Sequence, residues 1–266
     1  MPTGEPPPAA IAPRRVCLLT GAGGTLGDTF CRLYAQRYDI VAVCRRRRPR
    51  VASQHESFVD PVEPDVDLPE NRGQVYIVTA DLEQEHEIER IVDIALARFG
   101  HVDLLVNNAA YSNWHPQGVV DGTAALRDVD RHFSMNVGVP LRLAVRLAQQ
   151  SWVREDLTNR ARNRNVVNVS SLAGSKVFPH QGQGIYAASK AALNQLTRHL
   201  GSEFASFGVR VNAVAPNSFP SIVSTESVAR AVVRLDEESV TGRVLVLDAD
   251  PDADADAPQP STPAGP

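Results

Sequence analysis

Cysteine, excess positive charge and long apolar runs are all scarce in this sequence, and each shortage excludes a class of protein. The three cysteines, Cys17, Cys31 and Cys44, form no CxxC pair, so we expect a reduced protein and not a disulfide scaffold. A formal net charge of −4 argues against a general nucleic-acid binder. No apolar run approaches the roughly 18 residues of a membrane-spanning helix, and the proline-rich start lacks the apolar segment of a secretory signal. We therefore expect a cytoplasmic protein that binds neither nucleic acid nor membrane.

Two common kinds of catalytic site are missing as well. No set of His, Cys, Asp and Glu residues has the spacing of a zinc site, so no metal is expected. The Gly-x-Ser-x-Gly turn that carries the nucleophile of many hydrolases is also absent. The chemistry must therefore come from other motifs.

Length and composition fit one α/β domain. The chain has 266 residues, of which 43% are hydrophobic, and parallel α/β folds often reach roughly 250 residues as one unit. Residues 1–13 are rich in proline, and residues 248–266 consist mainly of Asp, Ala and Pro. Both segments are predicted to be disordered, which leaves a folded domain over residues 14–247.

Segments of strand and helix character alternate along this domain. Most of the strand segments are continuous apolar runs, as expected for strands that are buried on both faces of a parallel sheet. The alternation predicts an α/β fold with a doubly wound, parallel, seven-stranded, Rossmann-like sheet. Strands are predicted at 16–20, 40–44, 75–79, 104–107, 165–169, 209–214 and 243–247, and helices at 25–38, 84–99, 124–151, 185–207 and 225–235. Four prolines in the connection 45–73 predict that no full crossover helix forms there.

A glycine-rich loop, TGAGGTLG (residues 20–27), follows the first strand and opens the first helix. Glycines allow the backbone to approach a pyrophosphate, and the helix N-terminus offers free N–H groups and a positive dipole. An ordinary glycine-rich turn is the alternative, but the position directly after the first strand favours dinucleotide binding. The candidate cofactor contacts in this loop are Thr20, Gly21, Gly24, Thr25, Leu26 and Gly27.

A row of arginines follows the second strand, at 45–48 and at Arg50. A site that prefers NAD places a carboxylate at this point, to bind the ribose 2′-hydroxyl group. This sequence has none, and guanidinium groups pair well with a 2′-phosphate. We therefore expect NADP in preference to NAD, with Arg45 and Arg46 as contacts, although several of these arginines fit an ordinary solvated loop.

Tyr186 and Lys190 lie four residues apart in a predicted helix and therefore share one face. A nearby ammonium group lowers the pKa of a tyrosine from its usual value of roughly 10. The phenol then becomes a usable acid or base near neutrality. A surface pair is the alternative interpretation of YxxxK alone. Trp114 and His115 follow the fourth strand, where a buried structural pair and a ligand contact are equally plausible.

The chain resembles the short-chain dehydrogenase/reductase family over about residues 14–248. The matching motifs occur in the family's order and are TGAGGTLG (20–27), DL (81–82), NNAA (107–110), MNVG (135–138), VVNVSSLAG (166–174), YAASK (186–190), RVNAVAP (210–216) and VTGRVLVLD (240–248). One such motif is weak evidence, but the ordered set is specific.

This resemblance implies a role for each matching residue. Tyr186 would exchange a proton with the substrate oxygen, and Ser171 would hydrogen-bond the same oxygen. Lys190 would hold the nicotinamide ribose and lower the Tyr186 pKa. The implied catalytic residues are Asn136, Ser171, Tyr186 and Lys190. The implied cofactor contacts beyond the glycine loop and the arginines are Asp81, Leu82, Asn108, Ala109, Tyr186, Lys190, Pro216 and Asn217.

The sequence departs from the family in features that bear on the site. The glycines at 21, 24 and 27 have the TGxxGxxG spacing of the extended, epimerase-type branch, and Thr25 stands where the single-domain branch has glycine. Residues 217–224 are too few for the usual covering helices, so we expect an open cleft or one closed by a partner subunit. Pro140 has no N–H to donate to the Asn136 carbonyl, which predicts a local kink and a carbonyl that faces Lys190.

The resemblance therefore implies an NADP-dependent ketoreductase or alcohol dehydrogenase that transfers hydride between nicotinamide and a ketone or secondary alcohol. The substrate is expected to be a small molecule or a carrier-borne ketone. One alternative is a non-catalytic NAD(P)-binding regulatory protein, and another is an epimerase or dehydratase of the extended branch, which the short chain opposes. The family commonly assembles through helices that correspond to 124–151 and 185–207, which implies a homodimer or homotetramer.

Overall fold

Seven short apolar segments form the strands of one parallel sheet, as predicted. They are β1 (Arg15–Thr20), β2 (Tyr38–Cys44), β3 (Gln74–Thr79), β4 (Leu104–Asn107), β5 (Asn165–Val169), β6 (Arg210–Pro216) and β7 (Val244–Leu247). Their spatial order is β3-β2-β1-β4-β5-β6-β7, and every neighbouring pair is parallel. The order reverses between β1 and β4, which is where doubly wound folds bind their ligands.

The computed structural model describes residues 14–250, apart from 55, 58, 60, 64, 65, 67–73, 121 and 122. The predicted disordered segments therefore lie outside the described residues, except for 248–250. Two of these three residues, Asp248 and Asp250, contact the domain. The Asp248 carboxylate accepts a hydrogen bond from Asn217, and the Asp250 carboxylate accepts hydrogen bonds from Ser224 and Ser227.

Helices cover both faces of the sheet. They are α1 (Thr25–Tyr34), α2 (Glu85–Phe99), α3 (Thr123–Arg127), α4 (Val129–Phe133), α5 (Val139–Gln150), α6 (Asp156–Ala161), α7 (Gly184–Phe204) and α8 (Thr225–Glu237). Phe30 of α1 and Val232 of α8 belong to the core on one face, whereas Ile91 of α2 and Leu143 of α5 belong to the core on the other. Among the described residues between β2 and β3 there is no helix, as the prolines predict. No helix in the described part of the chain is long and apolar enough to cross a membrane.

The single long helix predicted over 124–151 is divided in the structure. A π-helical turn, Ser134–Gly138, separates α4 from α5, and Pro140 lies in the first turn of α5. Within this turn the Val139 N–H donates to the carbonyl five residues back, on Ser134. The helix is therefore irregular around Asn136, and π-turns of this kind are frequent at functional sites. The kink that Pro140 is expected to cause there stays a prediction.

A buried ion network lies at the edge of the sheet where the strands begin. Asp103 is fully buried; it accepts a hydrogen bond from the Val16 N–H at 3.0 Å and one from the Arg162 guanidinium at 2.6 Å. The Arg164 guanidinium lies 3.7 Å from the same carboxylate. Burial alone would raise the pKa of Asp103, but the hydrogen bonds from Arg162 and Val16 outweigh it and hold that pKa below its usual value.

Candidate active site

A cleft of about 410 Å³ opens where β1, β2, β3 and β4 end. Because carboxyl ends of parallel strands meet at one edge, the loops that follow them converge there. The cleft brings together most of the cofactor contacts that the sequence predicts. These are Gly21, Gly24, Thr25, Leu26, Arg45, Asp81, Leu82, Asn108 and Ala109.

Glycine is required at two positions of the glycine-rich loop. Gly21 has a φ of +65°, and a Cβ there would lie 2.9 Å from the Ala109 backbone. At Gly23 a Cβ would lie 1.7 Å from the Arg47 carbonyl oxygen. The N-cap residue of α1 is Gly24, which provides no side-chain cap. The first N–H groups of α1 are thus left for an anion, and the cleft fits a dinucleotide pyrophosphate.

Seven of the predicted cofactor contacts do not line this cleft. Four of them, Tyr186, Lys190, Pro216 and Asn217, lie elsewhere in the site, and the other three are Thr20, Gly27 and Arg46. Thr20 is fully buried, and its hydroxyl accepts the N–H groups of Asn108 and Ala109. Gly27 lies beneath the loop, where a Cβ would be 2.4 Å from the Gly21 carbonyl oxygen. Both residues therefore shape the cleft instead of facing it. Arg46 is exposed and has no ion pair or hydrogen bond with the described residues.

A buried carboxylate, Asp28, positions the arginine segment. It lies in the first turn of α1 and accepts the Arg50 N–H at 2.7 Å as well as the Arg50 guanidinium at 2.7 Å. Burial would raise the pKa of Asp28, but the hydrogen bonds from Arg50 keep that pKa below its usual value. The sequence pattern does not single out Asp28, because an acidic residue is common in the first turn of any helix.

Arg45 already has acidic neighbours in the cleft. Its guanidinium lies 3.4 Å from the Glu83 carboxylate and 3.8 Å from that of Asp81. Glu83 also pairs with Arg131 at 2.6 Å, and the Arg131 guanidinium lies 4.3 Å from the centre of the Tyr111 ring. An anionic ligand would therefore compete with Glu83 for Arg45.

The four predicted catalytic residues come from three parts of the fold. Tyr186 and Lys190 lie in the first turns of α7, Ser171 follows β5, and Asn136 lies in the π-turn. Tyr186 and Ser171 line the same cleft, and their side chains lie close enough to interact. The structure therefore brings the phenol and the serine hydroxyl together, as the motif order implies.

Asn136 connects the loop after β4 to α7. Its amide donates to the Tyr111 carbonyl and to the Ser189 hydroxyl, each at 2.9 Å, and its oxygen accepts the Tyr111 N–H at 2.8 Å. Asn136 is 1% exposed, and these bonds account for its buried amide. The side chain of Asn136 thus positions Ser189, which precedes Lys190 in the chain.

Lys190 is buried, and its Nζ donates to the Val169 carbonyl at 2.8 Å. Burial lowers the pKa of Lys190 to about 8. Burial also raises the pKa of Tyr186, while the Ser171 hydrogen bond opposes this rise. The sequence predicted that Lys190 lowers the Tyr186 pKa, and the structure differs because the Nζ points to Val169 and lies 5.8 Å from the centre of the Tyr186 ring.

A second cleft, of about 280 Å³, adjoins Ser171 and Tyr186. We call it the substrate cleft. Pro216 and Asn217, which were predicted to lie beside nicotinamide, line this cleft and not the first one. Phe219 lines both clefts. Residues 217–224 form turns and no helix. As expected from its length, this segment contains no covering helix.

A polar cluster behind the substrate cleft is not evident from the sequence. The Asp128 carboxylate accepts the Tyr111 hydroxyl at 3.1 Å and lies 3.2 Å from His115 Nε2. The His115 N–H in turn donates to the Gly182 carbonyl at 2.9 Å. The cluster thus joins the loops after β4 and β5. Of the pair Trp114 and His115, the tryptophan lines the cleft and the histidine is buried in this cluster.

Gly23→Ala tests the contact between the glycine-rich loop and the arginine segment. The new Cβ would overlap the Arg47 carbonyl, so one segment has to move. We expect the Kd of a nicotinamide cofactor to rise at least about tenfold, with a loss of about 1–3 kcal/mol in unfolding free energy. Cofactor fluorescence titration and urea unfolding measure the two effects.

Gly184→Ala is the matched control for this variant, because its Cβ would meet only Val119 at an ordinary 3.6 Å. Its cofactor affinity should equal that of the wild type. Unchanged affinity in Gly23→Ala would show that the loop does not shape the cofactor site.

Comparison with known proteins gives one consistent result. Residues 15–231 match the family model described as short chain dehydrogenase. Protein FixR of Bradyrhizobium diazoefficiens is 31% identical over 230 residues, which cover 83% of this chain and 73% of that protein. The 3-oxoacyl-[acyl-carrier-protein] reductase FabG of Thermotoga maritima is 27% identical, covering 76% of this chain and 73% of the relative.

Two further matches differ in extent. The peroxisomal hydratase-dehydrogenase-epimerase of Saccharomyces cerevisiae is 28% identical over 88% of this chain, but the chain spans only 24% of that longer protein. Among solved structures, a Brucella ovis oxidoreductase in complex with a partially ordered NAD is 26% identical, with a TM-score of 0.63. The match covers 89% of this chain and all of that one.

Proposed function

Because the chain belongs to the short-chain dehydrogenase/reductase family, we propose that it is an NADP-dependent ketoreductase or alcohol dehydrogenase that interconverts a ketone and a secondary alcohol. The observation that carries this proposal is that the Tyr186 and Ser171 side chains both line the substrate cleft and lie close enough to interact. Two hydroxyl groups at that point suit a carbonyl oxygen, which needs one proton donor and one hydrogen-bond donor during reduction.

In the proposed mechanism Tyr186 is the acid. A bound nicotinamide cofactor supplies the hydride for reduction. The Tyr186 hydroxyl donates its proton to the substrate oxygen, and the O–H bond of the phenol breaks as that of the alcohol forms. Ser171 hydrogen-bonds the same oxygen, and the Lys190 ammonium stabilises the resulting phenolate. In the oxidation direction the phenolate accepts the proton.

Asn136 and Lys190 have supporting roles in this proposal. Lys190 would hold the cofactor ribose through its Nζ, in addition to its bond with Val169. Asn136 keeps Ser189, and therefore the adjacent lysine, fixed against the loop after β4. The orientation of the Asn136 carbonyl towards Lys190 stays a prediction.

The preference for NADP is supported by the chemistry at the end of β2. Arg45 lines the first cleft, and Arg46 beside it is exposed and unpaired among the described residues. No acidic residue occurs between 44 and 50, where a 2′-hydroxyl would need one. The competition of Glu83 for Arg45 leaves Arg46 as the freer of the two contacts.

Changing both Arg45 and Arg46 to alanine tests the choice of cofactor. We expect the Kd of NADPH to rise about 10- to 100-fold, because a 2′-phosphate loses charge-assisted hydrogen bonds, whereas the Kd of NADH stays nearly constant. Arg48→Ala is the control, since that side chain is exposed and its nearest acidic partner, Glu56, lies 3.9 Å away. Tighter binding of NADH than of NADPH by the wild type would refute the preference.

We further propose that the chain works in the cytoplasm as a homodimer or homotetramer. Cys17, Cys31 and Cys44 are all free and buried, which suits a reducing compartment. Leu126 and Phe133 are exposed on α3 and α4, within the segment through which the family assembles. Light scattering on the purified protein measures the mass of the assembly.

A further inference from the structure

The substrate cleft has an uncharged lining. Its apolar walls include Trp114, Phe178, Phe219 and Ile222, and its polar groups include the amides of Gln181 and Gln183. No Asp, Glu, Lys, Arg or His is among the described residues that line it. A charged substituent would lose part of its water against the apolar walls without gaining a counter-ion, which is unfavourable.

Lys176 and His115 flank the cleft, and each of them faces an acidic residue. Lys176 lies 5.8 Å from the centre of the Phe178 ring and pairs with Asp248 at 3.3 Å. His115, behind Trp114, faces Asp128 at 3.2 Å. The Lys176 ammonium is therefore already paired, and the His115 ring faces Asp128 and does not line the cleft.

The amides of the cleft have a defined hydrogen-bonding capacity. Gln183 Nε2 donates to Gln181 Oε1 at 2.6 Å, which leaves the amide N–H groups of Gln181 and the amide oxygen of Gln183. The Asn217 amide is held by Asp248, and its oxygen accepts the Ser218 N–H. The glutamine pair thus offers one donor group and one acceptor to a neutral polar substituent.

We infer that the substrate cleft selects an uncharged, ring-containing ketone, an inference that rests on the proposed function. The ring contacts Trp114, Phe178 and Phe219, since aromatic faces pack well against flat rings. A neutral hydrogen-bonding group on the ring meets Gln181 and Gln183. A carrier-borne acyl chain is a poorer fit, because it is flexible and brings no ring to these aromatic side chains.

Matched ketones test this selectivity. Para-acetylbenzamide and para-acetylbenzoate have the same shape and differ in charge, and octan-2-one has no ring. We expect kcat/KM for the benzamide to exceed that for the benzoate and for octan-2-one at least about tenfold each. Calorimetry with the protein–NADP⁺ complex gives the binding order of the same compounds independently of turnover.

Two variants assign the selectivity to the named residues. Trp114→Ala should lower kcat/KM for the benzamide at least about fivefold and by more than it lowers kcat/KM for octan-2-one, whereas Trp114→Phe should restore most of the loss. Trp114 is half exposed, so the fold does not depend on it. Gln181→Lys places a cation at the cleft and should raise kcat/KM for the benzoate relative to the benzamide.

The outcomes separate this inference from the proposed function. Equal kcat/KM for benzamide and benzoate, or faster reduction of octan-2-one or of an acetoacetyl thioester, would overturn the inference and leave a ketoreductase. Binding of the benzamide in preference to the benzoate, without reduction of any ketone by either cofactor, would uphold the inference and refute the proposed reaction. A benzamide that does not bind at all would overturn the inference.

Discussion

Tyr186→Phe should lower kcat by about 10²- to 10⁴-fold, the usual contribution of a positioned general acid, and leave NADPH binding nearly unchanged. The substitution removes only the hydroxyl that lies in the substrate cleft with Ser171. The ring keeps its packing, including the edge-on contact with His132 at 6.4 Å between ring centres. Steady-state kinetics and fluorescence titration measure the two quantities on the same preparation.

Two further variants make this experiment specific. Lys190→Ala should reduce both turnover and cofactor binding, because the lysine acts on the phenolate and on the ribose. Tyr76→Phe removes a hydroxyl from β3, where the ring packs against Arg98, and should match the wild type. Near-normal turnover of Tyr186→Phe would place the catalytic acid elsewhere.

Asp103→Ala should lower the free energy of unfolding by about 3–5 kcal/mol, because removal of one partner leaves buried charges without compensation. Arg164 is almost completely buried beside Asp103, and Arg162 donates to it. Asp93→Ala is the control, since Asp93 is exposed and accepts one bond from Gln150; its effect should stay within about 0.5 kcal/mol. Urea unfolding at neutral pH measures both variants, and equal stability of the two would mean that the ion network contributes nothing.

The same network has a defined pH dependence. The pKa of Asp103 in the folded protein lies below its ordinary value of 3.8. The contribution of the Asp103 carboxylate to the free energy of unfolding is therefore complete above pH 3.8 and is lost as the pH falls through the pKa of the folded state. The stability difference between wild type and Asp103→Asn should therefore narrow on acidification below pH 3.8. A difference that is independent of pH would contradict the assignment of the lowered pKa to Asp103.

The sheet could be predicted from the sequence because each strand is a short apolar run that is buried on both faces. Neighbours such as Leu18 and Leu19 are both fully buried, which is the pattern expected of a parallel sheet that is covered on both sides. The helix over 124–151 was predicted less well. The π-turn depends on bonds from Asn136 to Tyr111 and Ser189, which are distant in sequence.

The candidate site was predictable where residues follow directly after strands, as Asp81 and Asn108 do. The motif alone did not show which of its residues face the cofactor cleft and which only shape it. Thr20 and Gly27 belong to the glycine motif, yet both lie beneath the cleft. Asp28 was not predictable as an anchor, because its partner Arg50 is brought to it only by the fold.

The contact between Asp128 and His115 could not be predicted from the sequence either, for a related reason. The two residues are thirteen positions apart and meet only when the loop after β4 folds onto α4. The pKa of Tyr186 was predicted in the wrong direction. Spacing along α7 gives the distance to Lys190, but it does not reveal the burial that dominates.

The segment from Asn217 to Ser224 is tied at both ends, to Asp248 and to Asp250. A segment that is fixed in this way becomes ordered when the protein folds. It therefore does not lose conformational entropy again in every catalytic cycle. Recognition then relies on walls that exist before the substrate arrives and does not depend on closure around it. Substrate entry and product departure at this mouth are therefore expected to proceed without a gating step, and the rate of turnover should follow the chemistry of Tyr186.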